Sequence, residues 1–162
     1  MIDIMVLPAV VMEEKNVTSD TLVISIVSPG RVHPKIHGEH VYQFAFHDVI
    51  EEYSLDKNEY RDAMVIQPMF YEIAESIVEI CMNHRDKKRW IIQCEAGISR
   101  SPGVAIGLAR YIDLSPNEEK LAKMFPHHNK YVRMNIEKAM KVKLLEIELN
   151  LRERSMINPH GF

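Results

Sequence analysis

The run Trp90 to Ile112, WIIQCEAGISRSPGVAIGLARYI, constrains this chain more than any other stretch. Arg89 to Gln93 is a short apolar segment of the kind that forms a strand, and seven residues, CEAGISR, separate it from Ser101-Pro102, where a helix is expected to start. Serine is a good helix cap and proline a good first helical residue. The residues that follow, from Val104 to Ile112, are apolar on nearly all sides, the pattern of a helix buried inside a fold. A strand, a glycine-bearing loop and a buried helix in that order predict an α/β domain, with the loop at the carboxyl end of the sheet.

The rest of the chain fits that frame. Ile2 to Leu7, Thr21 to Val27 and Val41 to Phe46 read as strands, and apolar residues at Phe70, Ile73, Ala74, Ile77, Val78 and Cys81 form one stripe of a helix over 67–82. Ser115-Pro116 repeats the cap-and-proline signal and predicts a charged helix to about Phe125. A long helix follows from Asn129 or Lys130 to about Arg154. The expected fold is a small, mainly parallel sheet of four to five strands covered by helices, with a helical C-terminal third. At 162 residues, 46% of them apolar, the chain has material for one core, and no linker or repeat divides it. We expect a single domain over 1–162, in which 149–162 could form a loosely packed tail.

A net charge of −3 gives no global basic field, so nucleic-acid partners and a membrane surface are not expected. Two cysteines, Cys81 and Cys94, are too few for a disulfide framework, and no signal-like or spanning segment is seen. The expected setting is cytoplasmic. His33, His37 and His40 share a loop but lack a matching ligand set, and the adjacent His127 and His128 point apart on an extended chain, so no metal site is expected. Cys81 lies on its helix's apolar stripe and reads as core. The leucine-rich stretch Leu144 to Leu151 either packs on the domain or makes a dimer contact, which leaves a monomer or a weak homodimer.

The chemistry concentrates between Cys94 and Ser101. Backbone N–H groups of Glu95, Ala96, Gly97, Ile98 and Ser99 can form an anion nest, to which the helix adds the positive end of its dipole. Gly97 allows a tight turn, and Arg100 adds a planar fork matched to two phosphate oxygens. The same field favours the thiolate of Cys94, the nucleophilic form. Ser101 could cap the helix and donate a hydrogen bond to the sulfur when it leaves.

CEAGISRS resembles the phosphate-binding loop of cysteine-dependent tyrosine phosphatases, Cys-x5-Arg-Ser/Thr, and AGISRS is closest to their dual-specificity and small bacterial or phage branch. The resemblance implies that Cys94 forms a phosphocysteine, that Arg100 grips the phosphate and that Ser101 assists hydrolysis, with no cofactor. It also implies a carboxylic acid that protonates the leaving oxygen. Asp48, in FHDV after a strand, resembles the family's Phe-x-Asp, while Asp56 and Asp62 are alternatives, and Val49 to Met64 could form a mobile lid. The family usually carries histidine before the cysteine. Here that residue is Gln93, which can still hydrogen-bond the loop backbone, and Glu95 would add negative charge beside the nucleophile if it points inward; both imply slower turnover. The implied partner is a phosphorylated protein or small phosphomonoester. A phosphoinositide, a nucleotide or an RNA 5′ phosphate would suit the same loop, and a weakly active module that captures phosphorylated ligands is the non-enzymatic alternative.

Overall fold

The structure, a computed structural model, describes residues 1–49 and 66–157. In chain order the elements are β1 (Ile2–Pro8), α1 (Ala9–Met12), β2 (Lys15–Asn16), β3 (Thr21–Val27), β4 (Ile36–His37), β5 (Val41–Ala45) and α2 (Tyr71–Asn83). β6 (Arg89–Cys94), α3 (Arg100–Ala109), β7 (Leu114–Ser115), α4 (Glu118–Met124) and α5 (Lys130–Ile157) complete it. Five strands form one parallel sheet in the order β5-β3-β6-β1-β7. The expected α/β fold, a small parallel sheet covered by helices, is the one observed.

Alternation along the strands sends side chains to two unequal layers. Ile2 and Ile4, then Leu22, Ile24 and Ile26, then Trp90, Ile92 and Cys94 join the large core under α2 to α5. Val23 and Ile91 face the other way and meet Met12 of α1 in a much smaller cluster, with Val17, Ile36 and Val41 packed against it. β3 is buried along its whole length, as a strand with neighbours on both edges and cover on both faces must be. α3 crosses the middle of the large layer and is buried from Arg100 to Leu108. Gly103 lets α5 come close, because a Cβ there would stand 2.7 Å from the Asn129 carbonyl oxygen.

Several predicted boundaries shift for local reasons. The helix expected from Gln67 begins at Tyr71. Pro68 disfavours helical geometry at the residue before it, and Gln67 instead exchanges bonds with His47, whose N–H donates to the Gln67 carbonyl at 2.6 Å. Ser115 is not a helix cap: it pairs with Asp3 at the sheet edge, and Asn117 caps α4 by accepting from the Lys120 N–H at 3.0 Å. α5 runs on to Ile157, and its last turns, 151–157, are exposed. Among the described residues, no helix is long and apolar enough to cross a membrane.

Candidate active site

Cys94 ends β6, the middle strand, with Pro8 of β1 beside it and the end of β3 on its other flank. Its side chain is 2% exposed and lies on the helix-covered face. The loop after it turns at once because Gly97 adopts a φ of +69°, and the Ala9 N–H holds the Glu95 carbonyl at 3.2 Å. A Cβ on Gly97 would meet the Pro8 nitrogen at 2.7 Å, so both its conformation and its contact require glycine. This geometry brings the Gly97 N–H back to donate to Cys94 Sγ at 3.2 Å.

A second donor reaches the same sulfur. Ser101 Oγ donates to Cys94 Sγ at 3.0 Å. The cap role expected for Ser101 is not observed. The helix begins two residues earlier, at Arg100, because the Gly103 N–H reaches the Ser99 carbonyl at 3.1 Å, which puts Ser101 inside the first turn with its hydroxyl pointing at the sulfur. Ser99 takes the cap position without a side-chain cap bond. Two donors on one sulfur are suited to negative charge there, whether on a nucleophile or on a leaving group.

Arg100 is 5% exposed and is held by residues just beyond the ends of β3, β5 and β6. Its Nη1 donates to the Phe46 carbonyl at 2.8 Å and to Ser28 Oγ at 3.1 Å, and its Nη2 donates to Glu95 Oε2 at 2.5 Å. Nε is buried and has no acceptor among the described residues. Nε–H and one N–H of Nη2 form a single edge of the guanidinium, a fork for two oxygens. A buried charged donor without an acceptor is costly, and an oxyanion bound over the loop would satisfy it. Among the described residues, the N–H groups of Ala96, Ile98 and Ser99 likewise have no acceptor.

Glu95 points toward Arg100. Its Oε2 accepts from Arg100, from Ser28 Oγ at 2.7 Å and from the Ser28 N–H at 3.3 Å. The Arg100 guanidinium, helped by Ser28 and opposed by partial burial, holds the Glu95 carboxyl below the usual carboxylate range. It therefore anchors the arginine through an ion pair and does not face the sulfur.

Asp48 stands across the loop. Its Oδ1 accepts from Ser99 Oγ at 2.8 Å and from Asn129 Nδ2 at 2.7 Å. Asn129 caps α5 by accepting from the Val132 N–H at 2.9 Å, and its own N–H donates to the Ser99 carbonyl at 3.0 Å. With Oδ1 so occupied, a proton on this carboxyl belongs on Oδ2. Asp56, Asp62 and nearly all of the lid expected over Val49 to Met64 lie outside the described residues.

Gln93 does not bond the loop backbone as expected. Being one residue from Cys94, its side chain emerges on the opposite face of the sheet. There its Oε1 accepts from Ser25 Oγ at 2.6 Å, and Ser25 Oγ lies 2.9 Å from His33 Nδ1. Since the serine hydroxyl has one proton and gives it to Gln93, His33 Nδ1–H is the donor in its pair. Burial pushes the His33 imidazole below its ordinary value, which favours that neutral form. The other histidines of that loop disperse, His37 to Glu14 and His40 to the ring of His84. Among the described residues, no three His, Cys, Asp or Glu side chains gather as a metal-holding group. Cys81 is fully buried and unbonded to Cys94, and burial pushes its thiol far up.

The sequence thus led to Cys94, Gly97, Arg100, Ser101 and Asp48, which the fold brings together. It missed Ser28 and Asn129. The Ser-Pro-Gly turn at a strand end and the asparagine before the longest helix were visible signals, but nothing local linked either to the loop. Comparison of the chain with models of known families, with curated proteins and with solved structures finds no match in any of the three.

Proposed function

We propose that the protein is a phosphatase of the tyrosine or dual-specificity type, hydrolysing phosphomonoesters through a phosphocysteine. The observation that carries this reading is the joint state of two groups: a sulfur that accepts from both Gly97 and Ser101, beside a buried Arg100 whose Nε lacks an acceptor. In the first step Cys94 Sγ attacks phosphorus and the ester P–O bond breaks, while Asp48 Oδ2 gives its proton to the departing oxygen. Arg100 Nε and the open loop N–H groups bind the equatorial oxygens, where charge spreads as the phosphoryl group transfers. In the second, water attacks the phosphocysteine, the S–P bond breaks, and Asp48 takes the water's proton. The Ser101 hydroxyl stabilises the sulfur as it leaves.

The alternative of a poorly active phospho-ligand module draws on one observation, the Glu95–Arg100 ion pair, which offsets part of the charge a phosphate would meet. Hydrolysis of p-nitrophenyl phosphate separates the two. We expect turnover that Cys94→Ser reduces to background, and a Ser101→Ala enzyme that still gives a burst but resolves the intermediate about ten- to a hundredfold more slowly, the scale of a lost hydrogen bond to a charged group. Phosphopeptide binding by a wild-type protein without Cys94-dependent turnover would establish the module instead.

A further inference from the structure

A second guanidinium stands at the rim of the Cys94 loop. Ser28-Pro29-Gly30-Arg31 is a tight turn closed by the Arg31 N–H on the Ser28 carbonyl oxygen at 2.9 Å. Proline in the second place and Gly30 at a φ of +82° in the third fit a type II turn. Its first residue is fastened to the site, since Ser28 Oγ donates to Glu95 and accepts from Arg100. The turn and the loop are therefore joined by hydrogen bonds at Ser28, and Arg31 is presented from that turn.

Among the described residues, little else holds the Arg31 side chain. Its Nε lies 3.9 Å from Glu95 Oε1, at the edge of ion-pair reach, and its side chain is 74% exposed. Glu95 Oε2 is already committed to Arg100 and Ser28. A guanidinium has five N–H donors, and among the described residues most of those on Arg31 have no acceptor, while it stands one carboxylate away from Arg100. Exposed arginines usually gain little from a single long ion pair. Here the same residue is carried on a turn that the phosphate-gripping arginine itself holds in place.

We propose that Arg31 forms a second oxyanion subsite beside the Cys94 loop, so that the preferred substrate is a phosphomonoester carrying one further oxyanion. This rests on the phosphatase reading above. The partner chemistry is a carboxylate next to the phosphorylated residue of a peptide or a second phosphate on a small molecule. A single extra anion fits better than a polyanion, because CEAGISR holds no lysine and the chain carries a net charge of −3.

The experiment compares kcat/KM for two phosphotyrosine peptides that differ only by glutamate or glutamine beside the phosphotyrosine, and for an aryl monophosphate against the matching bisphosphate. The wild type should favour the more anionic member of at least one pair by about fivefold, the scale of a partly exposed charge pair, and added salt should shrink that ratio. Arg31→Ala should bring the ratio to near one, and Arg31→Glu should invert it. Preference within the peptide pair assigns the subsite to a carboxylate, and preference within the aryl pair assigns it to a phosphate. Equal ratios in wild type and Arg31→Ala, with Cys94-dependent hydrolysis intact, would overturn the subsite and leave the phosphatase reading standing. Absence of Cys94-dependent hydrolysis on every substrate would overturn both.

Discussion

At the scale of single residues, hydrogen-bond arithmetic assigns the roles. Ser101 has one hydroxyl proton and spends it on Cys94 Sγ; Ser28 has one and gives it to Glu95, so it can only accept from Arg100. Asp48 Oδ1 is taken by Ser99 and Asn129, which in the proposed reaction leaves Oδ2 to meet the leaving group. If Asp48 is the acid, its removal should matter most where the leaving group most needs a proton. Asp48→Ala should lower kcat by roughly a hundredfold for phenyl phosphate and much less for p-nitrophenyl phosphate, whose phenolate leaves unaided. Equal losses on the two esters, or a loss confined to Asp62→Ala, would move the acid elsewhere. The spacing of Cys94, Gly97, Arg100 and Ser101 was legible because one loop carries them all. Ser28 and Asn129 were not, since their partners Glu95 and Asp48 lie 67 and 81 positions away.

At the scale of elements, the strand-loop-helix unit β6 to α3 works because it is pinned at both ends. Gly97 sits against the backbone of β1, and the Ser99 carbonyl accepts from both Gly103 and Asn129, tying the loop to α3 and to the start of α5. Gly97→Ala has no room for its Cβ and would have to hold a left-handed backbone. We expect a stability loss of about 1–3 kcal/mol by denaturant titration, with Cys94-dependent turnover abolished although the far-UV circular dichroism stays native-like. Native activity in this variant would show that the loop tolerates another path. The helix starts illustrate how local signals compete. Ser101-Pro102 and Ser115-Pro116 are equally good caps on paper, yet one serine turns to a sulfur and the other joins the sheet, while Ser99 and Asn117 take the cap positions.

At the scale of the whole molecule, nearly all of the apolar core lies on one side of the sheet, so α5 carries a large share of its closure. Val132, Ile136, Ala139 and Met140 of α5 are buried, whereas Leu149 is 57% exposed on the same helix. Ile136→Ala should therefore cost about 2–5 kcal/mol of unfolding free energy, and Leu149→Ala should stay within about 0.5 kcal/mol, both read by urea titration at low protein concentration. A comparable loss for Leu149 would show that the end of α5 is covered in solution. What the sequence determined by itself is the set of features written in short range: strands with apolar runs, helices with apolar stripes, and a loop whose cysteine, glycine and arginine share six peptide bonds. What only the tertiary structure decided is which distant groups complete that loop. Parallel strands meet through crossovers, so the ends of β3, β5 and β6 converge on one edge with Ser28, Asp48 and Glu95 from remote parts of the chain. The same pleat that brings Cys94 to the site turns Gln93 away to Ser25 and His33, because neighbouring residues of a strand must face opposite sides.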